Sequence, residues 1–541
     1  MGQKLIICLS CLQFLLIFCI PVVIPSRILF LLPLSASSEC ASIHNLAEEL
    51  LYKGHTITWV ASVATETQHE NYTEIIPIPP PEFHDYLGSE NDSILTHRLR
   101  FKQLIPILLG WKLDATSARC HAVYNHQRFR DLVLKPAHKF DLIVINGNLH
   151  HCLLGLVVDT PYIVFHSIPF TGNEFRFWGI RMPPSFVPLS ILELGNRMTF
   201  PQRLLNHLTV WGMSLTYDVI IGSRAEAVYR SHLGEHLPPI SDIEGNVSLI
   251  FSNSHPVLSF PRPLTPDMIE VGCLQCRKAY PLPPGELKKW VDESDFGIVY
   301  FSMGTMYRLQ TFPPQHLSAI LNVLGGLKER VVFVGDVEEI TTRANMSIPT
   351  NILVQSFVPQ QDLLGHSKMK LFISHVGTQS HLEAGYHGVP LVVMPIYGDQ
   401  ALAAVHVQQV GTGILIEILE LTEATFGDAV NKVLHDQKYR QKAEYISKMV
   451  RDQPQTSLER ATFWTEYVLR HGGAQELRSS ARDLNGFQYY GLDVVIFLVS
   501  FILSVTLIAL KVSRIKSLGH GNSGKALLTI CLIYMSIVWL T

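Results

Sequence analysis

The chain has 541 residues, a formal net charge of −3 and nine cysteines. So balanced a charge gives no basic field for a polyanion, which argues against a nucleic-acid partner. Charged residues make up 16% of the chain, against ~25% in an ordinary soluble domain, and apolar ends account for much of the deficit.

At the start, Lys4 precedes "LIICLSCLQFLLIFCIPVVI". A cation followed by an apolar run predicts a secretory signal peptide over residues 1–26, cleaved near Ser26. The run is long for such a segment, so an uncleaved anchor is the other reading. Next comes "RILFLLPL", a continuous apolar run of the kind that forms a buried parallel strand. A Ser-rich loop, a helix predicted over 42–52 and the strand "TITWVAS" complete a β-α-β unit. "FDLIVIN" and "PYIVFHS" continue the series, and this alternation predicts an α/β sheet. Residues 27–254 are assigned to this first domain.

Residues 255–290 are rich in proline, with "HPVLSFPRPLTPD" and "YPLPPGELKKW", and are assigned to an interdomain linker. A second α/β series over 291–452 contains "GIVYFSMGT", "RVVFVGD", "NILVQSFVP", "KLFISHVGT" and "PLVVMPIYGDQ". Ligands of open parallel sheets bind at the carboxyl ends of the strands, so two such sheets face to face would enclose a cleft.

The run "LDVVIFLVSFILSVTLIAL", residues 492–510, is long enough to cross a bilayer, which takes ~20 residues. Lys511, Arg514, Lys516 and Lys525 follow it and Asp493 precedes it. Positive charge stays cytosolic, so the body is expected in the lumen or outside the cell. Sequons at Asn71, Asn91, Asn246 and Asn345 agree with that side. The last apolar run, 526–538, is short for a span and suits a re-entrant or interfacial segment equally. Cys8, Cys11 and Cys19 fall in the leader and Cys531 in the tail, leaving Cys40, Cys120, Cys152, Cys273 and Cys276. An odd number leaves at least one unpaired. "CLQC" at 273–276 lacks a second pair or nearby histidines, so ordinary linker cysteines are expected there and no metal site.

The densest chemistry lies in "FVPQQDLLGHSKMKLFISHVGTQSHLEAGYHGVPLVVMPIYGDQ", residues 357–400. A strand, a tight turn and a helix opening near Ser380 and closing at Gly388 present backbone N–H groups and a positive dipole end, which suit a diphosphate. Gly377 allows close backbone approach, and His375 and Ser380 add donors. Glu383 could accept from ribose hydroxyls, Asp399 and Gln400 from a sugar, and Phe357 offers a flat face for a base. Ser380-x-x-Glu383 also reads as a capping box, and His375 as a turn histidine.

Together these residues resemble the family 1 UDP-glycosyltransferases, in particular the membrane-bound UDP-glucuronosyltransferase-like branch of animals. Its donor signature is matched at Phe357, Pro359, Gln360, His375, Gly377, Ser380, Glu383, Ala384, Gly388, Val389, Pro390, Asp399 and Gln400. "LLGH" at 363–366, "YFSMGT" at 300–305, "FSNSHPVLSFPRPLTPDMIEVGCL" and "ARDLNGFQYYGLDVV" are similar too. The resemblance implies a GT-B fold, two Rossmann-like domains facing a cleft plus a C-terminal transmembrane helix, with residues 453–491 forming helices that return toward the first domain and the membrane and 511–541 a cytoplasmic basic segment and apolar tail. It implies that Phe357 and Gln360 hold uracil, that His375, Gln379 and Ser380 meet the diphosphate near Ser302 and Thr305, that Glu383 takes the ribose, and that Asp399 and Gln400 take the sugar. Phe357 stands where Trp is usual, Val376 where the animal branch has Gly, Gln379 for Asn, and Ala403 where Asn is common.

The family transfers sugar by inverting displacement without metal or cofactor, the UDP-sugar being a co-substrate. A His in the first strand–helix loop is its base, and an Asp after a later strand orients that His. Counting back fifteen residues from Gly54 gives Glu39, and "FDLIVIN" puts Asn146 at the Asp position. Both members are substituted. Glu39 could act as base, although a carboxylate with pKa near ~4.3 is weak toward an alcohol. His44 could stand in, with His150 and His151 as further histidines near the cleft edge. Without a base, the protein would use amine or thiol nucleophiles or bind without turnover. The expected function is transfer of glucosyl or glucuronosyl to a small lipophilic acceptor. A catalytically impaired pseudoenzyme, binding donor or partners, is the alternative. The expected setting is a single-pass membrane protein of the endoplasmic reticulum, as a homo-oligomer or with related transferases.

Overall fold

The computed structural model describes residues 24–79, 93–102, 113–135, 139–147, 150–167, 178–180, 182–305, 307 and 309–517. Most of the leader, Asn91 and the run 526–538 lie outside the described residues. Contacts divide the chain into a unit over Met1–Arg478 and a second over Ser479–Thr541.

The first unit holds two all-parallel sheets. In the first, β1 (Arg27–Leu32), β2 (Thr56–Ala61), β3 (Tyr72–Ile75), β4 (Leu142–Asn146), β5 (Tyr162–His166), β6 (Leu249–Ser252) and β7 (Met268–Glu270) lie in the order β3-β2-β1-β4-β5-β6-β7. In the second, β8 (Ile298–Ser302), β9 (Arg330–Val334), β10 (Ile352–Gln355), β11 (Met369–Ser374), β12 (Leu391–Val393) and β13 (Gly413–Leu415) lie in the order β10-β9-β8-β11-β12-β13. Each order reverses next to its first strand, between β1 and β4 and between β8 and β11. Those are the crevices where doubly wound sheets bind ligands.

The central strands are continuous apolar runs because both faces are covered. Alternate side chains of β1 enter different cores. Ile28, Phe30 and Leu32 pack with Leu46 and Trp59, while Leu29 and Leu31 pack with Tyr124, Ile143 and Tyr229. The first of these cores also takes Ala461 and Val468 from the helix Ser457–His471. Lys53 and His55 reach Glu466 on that helix, and Ser457 Oγ donates to the Gly272 carbonyl at 2.9 Å.

The Pro-rich segment is only partly a connector. Met268–Glu270 is the seventh strand of the first sheet, paired with β6, and Glu286–Asp292 is a helix whose Val291 enters the second sheet's core. A three-residue strand carries too little alternation to show in a pattern. Another crossing is the helix Ile94–Lys102. Its Ile94 belongs to the second sheet's core, and its buried Arg98 bonds Glu417 through Nε at 3.1 Å and Nη2 at 2.9 Å and also contacts Glu193. Cys120 pairs with Cys152 and Cys273 with Cys276, and Cys40 is a buried thiol. The CLQC cysteines are therefore a closed disulfide turn rather than two independent linker residues. Asn246 and Asn345 are exposed and Asn71 half-buried.

The second unit contains the short helix Gly486–Tyr489 and the helix Leu492–Ser517. Over Leu492–Arg514 the latter is long and apolar enough to cross a bilayer.

Candidate functional site

The second sheet's crevice is built by the loops after β8 and β11. The helix here called α1 runs from Thr378 to His387, with Gly377 at its N-cap and Gly388 at its C-cap in the left-handed conformation, φ 71°. It opens two residues earlier than the sequence suggests, which removes the capping-box reading: Ser380 lies inside the first turn. The first intrahelical bond runs from His381 N to the Gly377 carbonyl at 2.9 Å. Thr378 N–H donates to Asp399 Oδ2 at 3.0 Å, so the N–H groups of Gln379 and Ser380 remain at the positive end of the helix.

His375 lies between two glycines. A Cβ built on Gly304 would meet the imidazole Cε1 at 2.5 Å, and one on Gly377 would meet Nε2 at 2.8 Å. Gly304 also has φ +75°, a region that disfavours any side chain. Tyr307 packs its ring edge-on to His375, 5.6 Å between centroids. His375 Nδ1 is buried without a hydrogen-bond partner, and burial lowers the imidazole to about 4, so the ring is neutral near pH 7. This is a pre-set donor or acceptor waiting for a polar ligand group. Ser302 is buried at the end of β8 and its Oγ accepts from Gly304 N–H at 3.3 Å, while Thr305 is exposed.

Val376 has φ 60°. A β-branched residue there costs roughly 1–2 kcal/mol. Its side chain is fully buried, and burial of a valine returns roughly 1.5–3 kcal/mol.

Next to the cradle, Phe357 is 78% exposed, an unusual setting for an aromatic and a fit for a stacked base. Gln360 is engaged within the protein. Its Nε2 donates to Glu383 Oε2 at 2.8 Å and Ser380 Oγ at 3.3 Å, and its Oε1 accepts from Tyr300 OH at 3.2 Å. Both side-chain N–H donors are committed, which leaves one acceptor lone pair and the main chain for a base. Glu383 also accepts from Gln275 Nε2 at 3.3 Å. Burial, the main cause, raises Glu383 to about 7 against the pull of these two amides. Tyr300 and Gln275 were not found by sequence reasoning, and the signal for Gln275 was its place inside the CLQC turn.

Asp399 and Gln400 open the helix after β12, here α2, Gln400–Val410. Besides Thr378 N–H, the Thr378 hydroxyl donates to Asp399. Gln400 Oε1 accepts from Ile396 N and Tyr397 N at 2.8 and 3.0 Å, and Nε2 donates to Tyr307 OH at 3.0 Å. It therefore ties the loop after β12 to Tyr307.

The first sheet's crevice is arranged otherwise. The helix after β1 runs over Ser37–Tyr52, five residues longer than predicted, so Glu39 sits in its first turn. Glu39 Oε2 accepts from Ala36 N–H at 2.9 Å, and Oε1 accepts from Ser167 Oγ at 2.6 Å. Asn146 is buried at the end of β4 and donates from Nδ2 to Ser35 Oγ at 2.7 Å. His150 Nε2 accepts from Leu34 N–H at 3.1 Å. His44 packs toward β2 and β3, where Nε2 meets Thr67 Oγ1 at 3.1 Å and the ring lies edge-on to Trp59 and Tyr72. Five residues of helix place it ~140° around the axis from Glu39, so the two do not share a face. His151 Nδ1 faces Tyr217 OH at 3.2 Å and Glu244 at 3.5 Å.

The two crevices meet through Gln379, whose Nε2 donates to the Ser167 carbonyl at 3.1 Å. Glu39, Ser167, Gln379 and Thr378–Asp399 thus form one bonded series from one sheet's loops to the other's. Among the described residues no group of His, Cys, Asp and Glu is placed to hold a metal ion.

Residues 28–518 match a family model described as UDP-glucoronosyl and UDP-glucosyl transferase. UDP-glucosyltransferase 2 of Dactylopius coccus is 29% identical over 485 residues, covering 88% of this chain and 90% of that protein. UDP-glucuronosyltransferase 2B23 of Macaca fascicularis is 30% identical over 493 residues, with coverage of 88% and 90%. Among solved structures, the calicheamicin glycosyltransferase CalG4 superposes with a TM-score of 0.52 at 18% identity, covering 83% of this chain and all of that one. The fold is GT-B, and the chain belongs to the UDP-glucuronosyl and UDP-glucosyl transferase family.

Proposed function

We propose that this protein binds a UDP-sugar in the second sheet's crevice and transfers the hexosyl group to a small lipophilic acceptor by inverting, metal-independent displacement. The observation that carries this reading is the imidazole of His375, held between Gly304 and Gly377 with a buried, unpartnered Nδ1 next to the first turn of α1. In this reading the diphosphate lies on the N–H groups of Gln379 and Ser380 beside Ser302 and Thr305. Uracil stacks on Phe357 near Gln360, ribose meets Glu383, and the sugar lies toward Asp399 and Gln400. Departing negative charge on UDP is stabilised by the helix end and by donors already in place.

Proton removal from the acceptor is the weak part of the chemistry. The carboxylate of Glu39 is engaged by Ala36 and Ser167, and Asn146 bonds Ser35, so the contacts of a base and its orienting partner are replaced by contacts that order the loop. The acceptor is then a nucleophile that needs little help, a thiol or an amine. The same observation favours a second reading, a protein that binds UDP-sugar without turning it over. One assay separates them: purified chain in detergent with UDP-sugar and paired thiol, amine and alcohol acceptors of similar shape. Transfer to thiol or amine but not alcohol supports the first reading. UDP binding without any transfer supports the second, and absence of UDP binding removes both.

A further inference from the structure

The helix Phe200–Thr216 carries its large apolar side chains outward. Phe200, Leu204, Leu208, Trp211 and Leu215 recur every three or four residues and lie within ~80° of one another around the axis. Their exposure runs from 48% at Leu204 to 69% at Phe200, and Val219, in the turn that follows, is 63% exposed. The inward side holds Val210 and Met213 but also the polar residues. Asn206 is buried, its Oδ1 accepts from Leu189 N–H at 3.0 Å, and its Nδ2 donates to the Pro184 and Val187 carbonyls at 2.7 and 2.9 Å. Thr209 is buried on the same side. A surface helix in water has the opposite arrangement. Asn206 fixes the rotation of the helix, so the apolar row cannot turn inward without breaking those three bonds. Such a row exceeds what a soluble monomer ordinarily leaves bare.

The place of this face on the body bears on what covers it. Tyr217, at the C-terminal end of the helix, donates from its hydroxyl to Glu244 on the helix Ile240–Gly245. Asn246 follows that helix, and its Oδ1 and carbonyl accept from Arg478 at 2.8 and 2.6 Å. Arg478 is the last residue of the first unit. The chain therefore leaves the body next to the end of the apolar face. Residues 479–491 are all that separate this exit from the helix Leu492–Ser517, a tether of at most ~50 Å. Arg203 is the one Asp, Glu, Lys or Arg in residues 200–217, so the face has no charge pattern to select a protein partner.

We propose that this face is a second membrane contact: the row from Phe200 to Val219 lies in the surface of the bilayer that Leu492–Arg514 crosses, its side chains buried ~5–10 Å deep. The proposal rests on that helix as a span and is independent of the donor reading. One span holds the body near the lipid but leaves it free to turn, and a second contact fixes which side of it faces the membrane.

The test reconstitutes the full chain in phosphatidylcholine vesicles carrying a photoactivatable acyl chain and maps lipid adducts by mass spectrometry. Adducts are expected on the peptide covering 200–219 as well as on the span, which is the internal control. Leu208→Glu with Leu215→Glu should lower the yield on that peptide about tenfold, since burial of one leucine is already worth about that much, with span adducts and thermal midpoint unchanged. Both leucines are more than half exposed, so the variant is expected to fold. Adducts on the span alone overturn the proposal. So does a wild-type dimer in detergent that the double substitution makes monomeric, because the row would then cover a second copy. A second measurement does not depend on the leucine variant. Lipid brominated in its acyl chains should quench tryptophan emission more in the wild type than in Trp211→Phe, and equal quenching in the two overturns the proposal.

Discussion

The two crevices have the same architecture and opposite states. Each lies where the strand order of a parallel sheet reverses, and each is walled by a loop running into a helix. In the second sheet part of the equipment is left for an outside group, although Gln360, Glu383, Asp399 and Gln400 are bonded within the protein: the buried His375 Nδ1 has no partner, Phe357 is exposed, and α1 starts at a glycine without a side-chain cap. In the first sheet it is turned inward. Glu39 bonds the backbone of its own helix start, Asn146 bonds Ser35 and His150 bonds Leu34. A binding site keeps polar groups that the protein itself leaves unsatisfied, whereas a satisfied network is a structural device.

The largest effect that sharpens this contrast is expected at Gly304. Gly304→Val puts a branched side chain into the His375 ring at a positive φ. Overpacking and strain together should cost roughly 2–5 kcal/mol, read as a lower midpoint in chemical denaturation together with loss of UDP binding. Phe357→Ala should weaken UDP by ~1–3 kcal/mol, the usual worth of a stacked base. It should leave the melting temperature of the ligand-free protein almost unmoved, since the ring is 78% exposed. An unchanged UDP affinity would remove Phe357 from the site. Glu39→Ala should destabilise by about 1 kcal/mol through the lost helix cap, seen in thermal unfolding, whereas Glu39→Gln should retain most of that stability.

A smaller effect comes from Glu383. Its carboxyl is raised to about 7 in the folded protein, from ~4.3 in an unfolded chain. The native state therefore holds an extra proton between those values. Stability contributed by the neutral form is fully present below pH ~4.3 and is lost as pH rises through about 7. Ribose hydroxyls favour the ionised acceptor, so UDP binding near pH 7 should release a fraction of a proton. Calorimetry in buffers of different ionisation enthalpy measures it, and Glu383→Gln should abolish the release.

The architecture was readable because the central strands are apolar on both faces, a pattern that only a sheet covered on both sides produces. The donor motif was readable because turn, helix start and acidic residues lie within one short stretch. Less visible was what depends on distant pairing. The edge strand Met268–Glu270 is too short for periodicity. Gln275 gains its role only once the chain brings it to Glu383, 108 residues away. The Glu39 side chain closes the first turn of the Ser37–Tyr52 helix, and with Glu39 helical His44 lies ~140° around the axis from it. Substitution at Glu39 and Asn146 could be counted in the sequence. That these residues now bond Ser167 and Ser35 could not.

The central claim is that the donor half is intact and the base half is not. Its most direct test is the rate of transfer from UDP-glucose to an alcohol acceptor, compared between wild type and Glu39→His with Asn146→Asp, with a thiol acceptor as internal control. General-base catalysis is worth ~10²–10⁴-fold. The account predicts that the double substitution raises the alcohol rate by about 100-fold or more, with UDP affinity and the thiol rate little changed. A wild type that already transfers to the alcohol, at a rate which the double substitution leaves unchanged and Glu39→Ala abolishes, would contradict it.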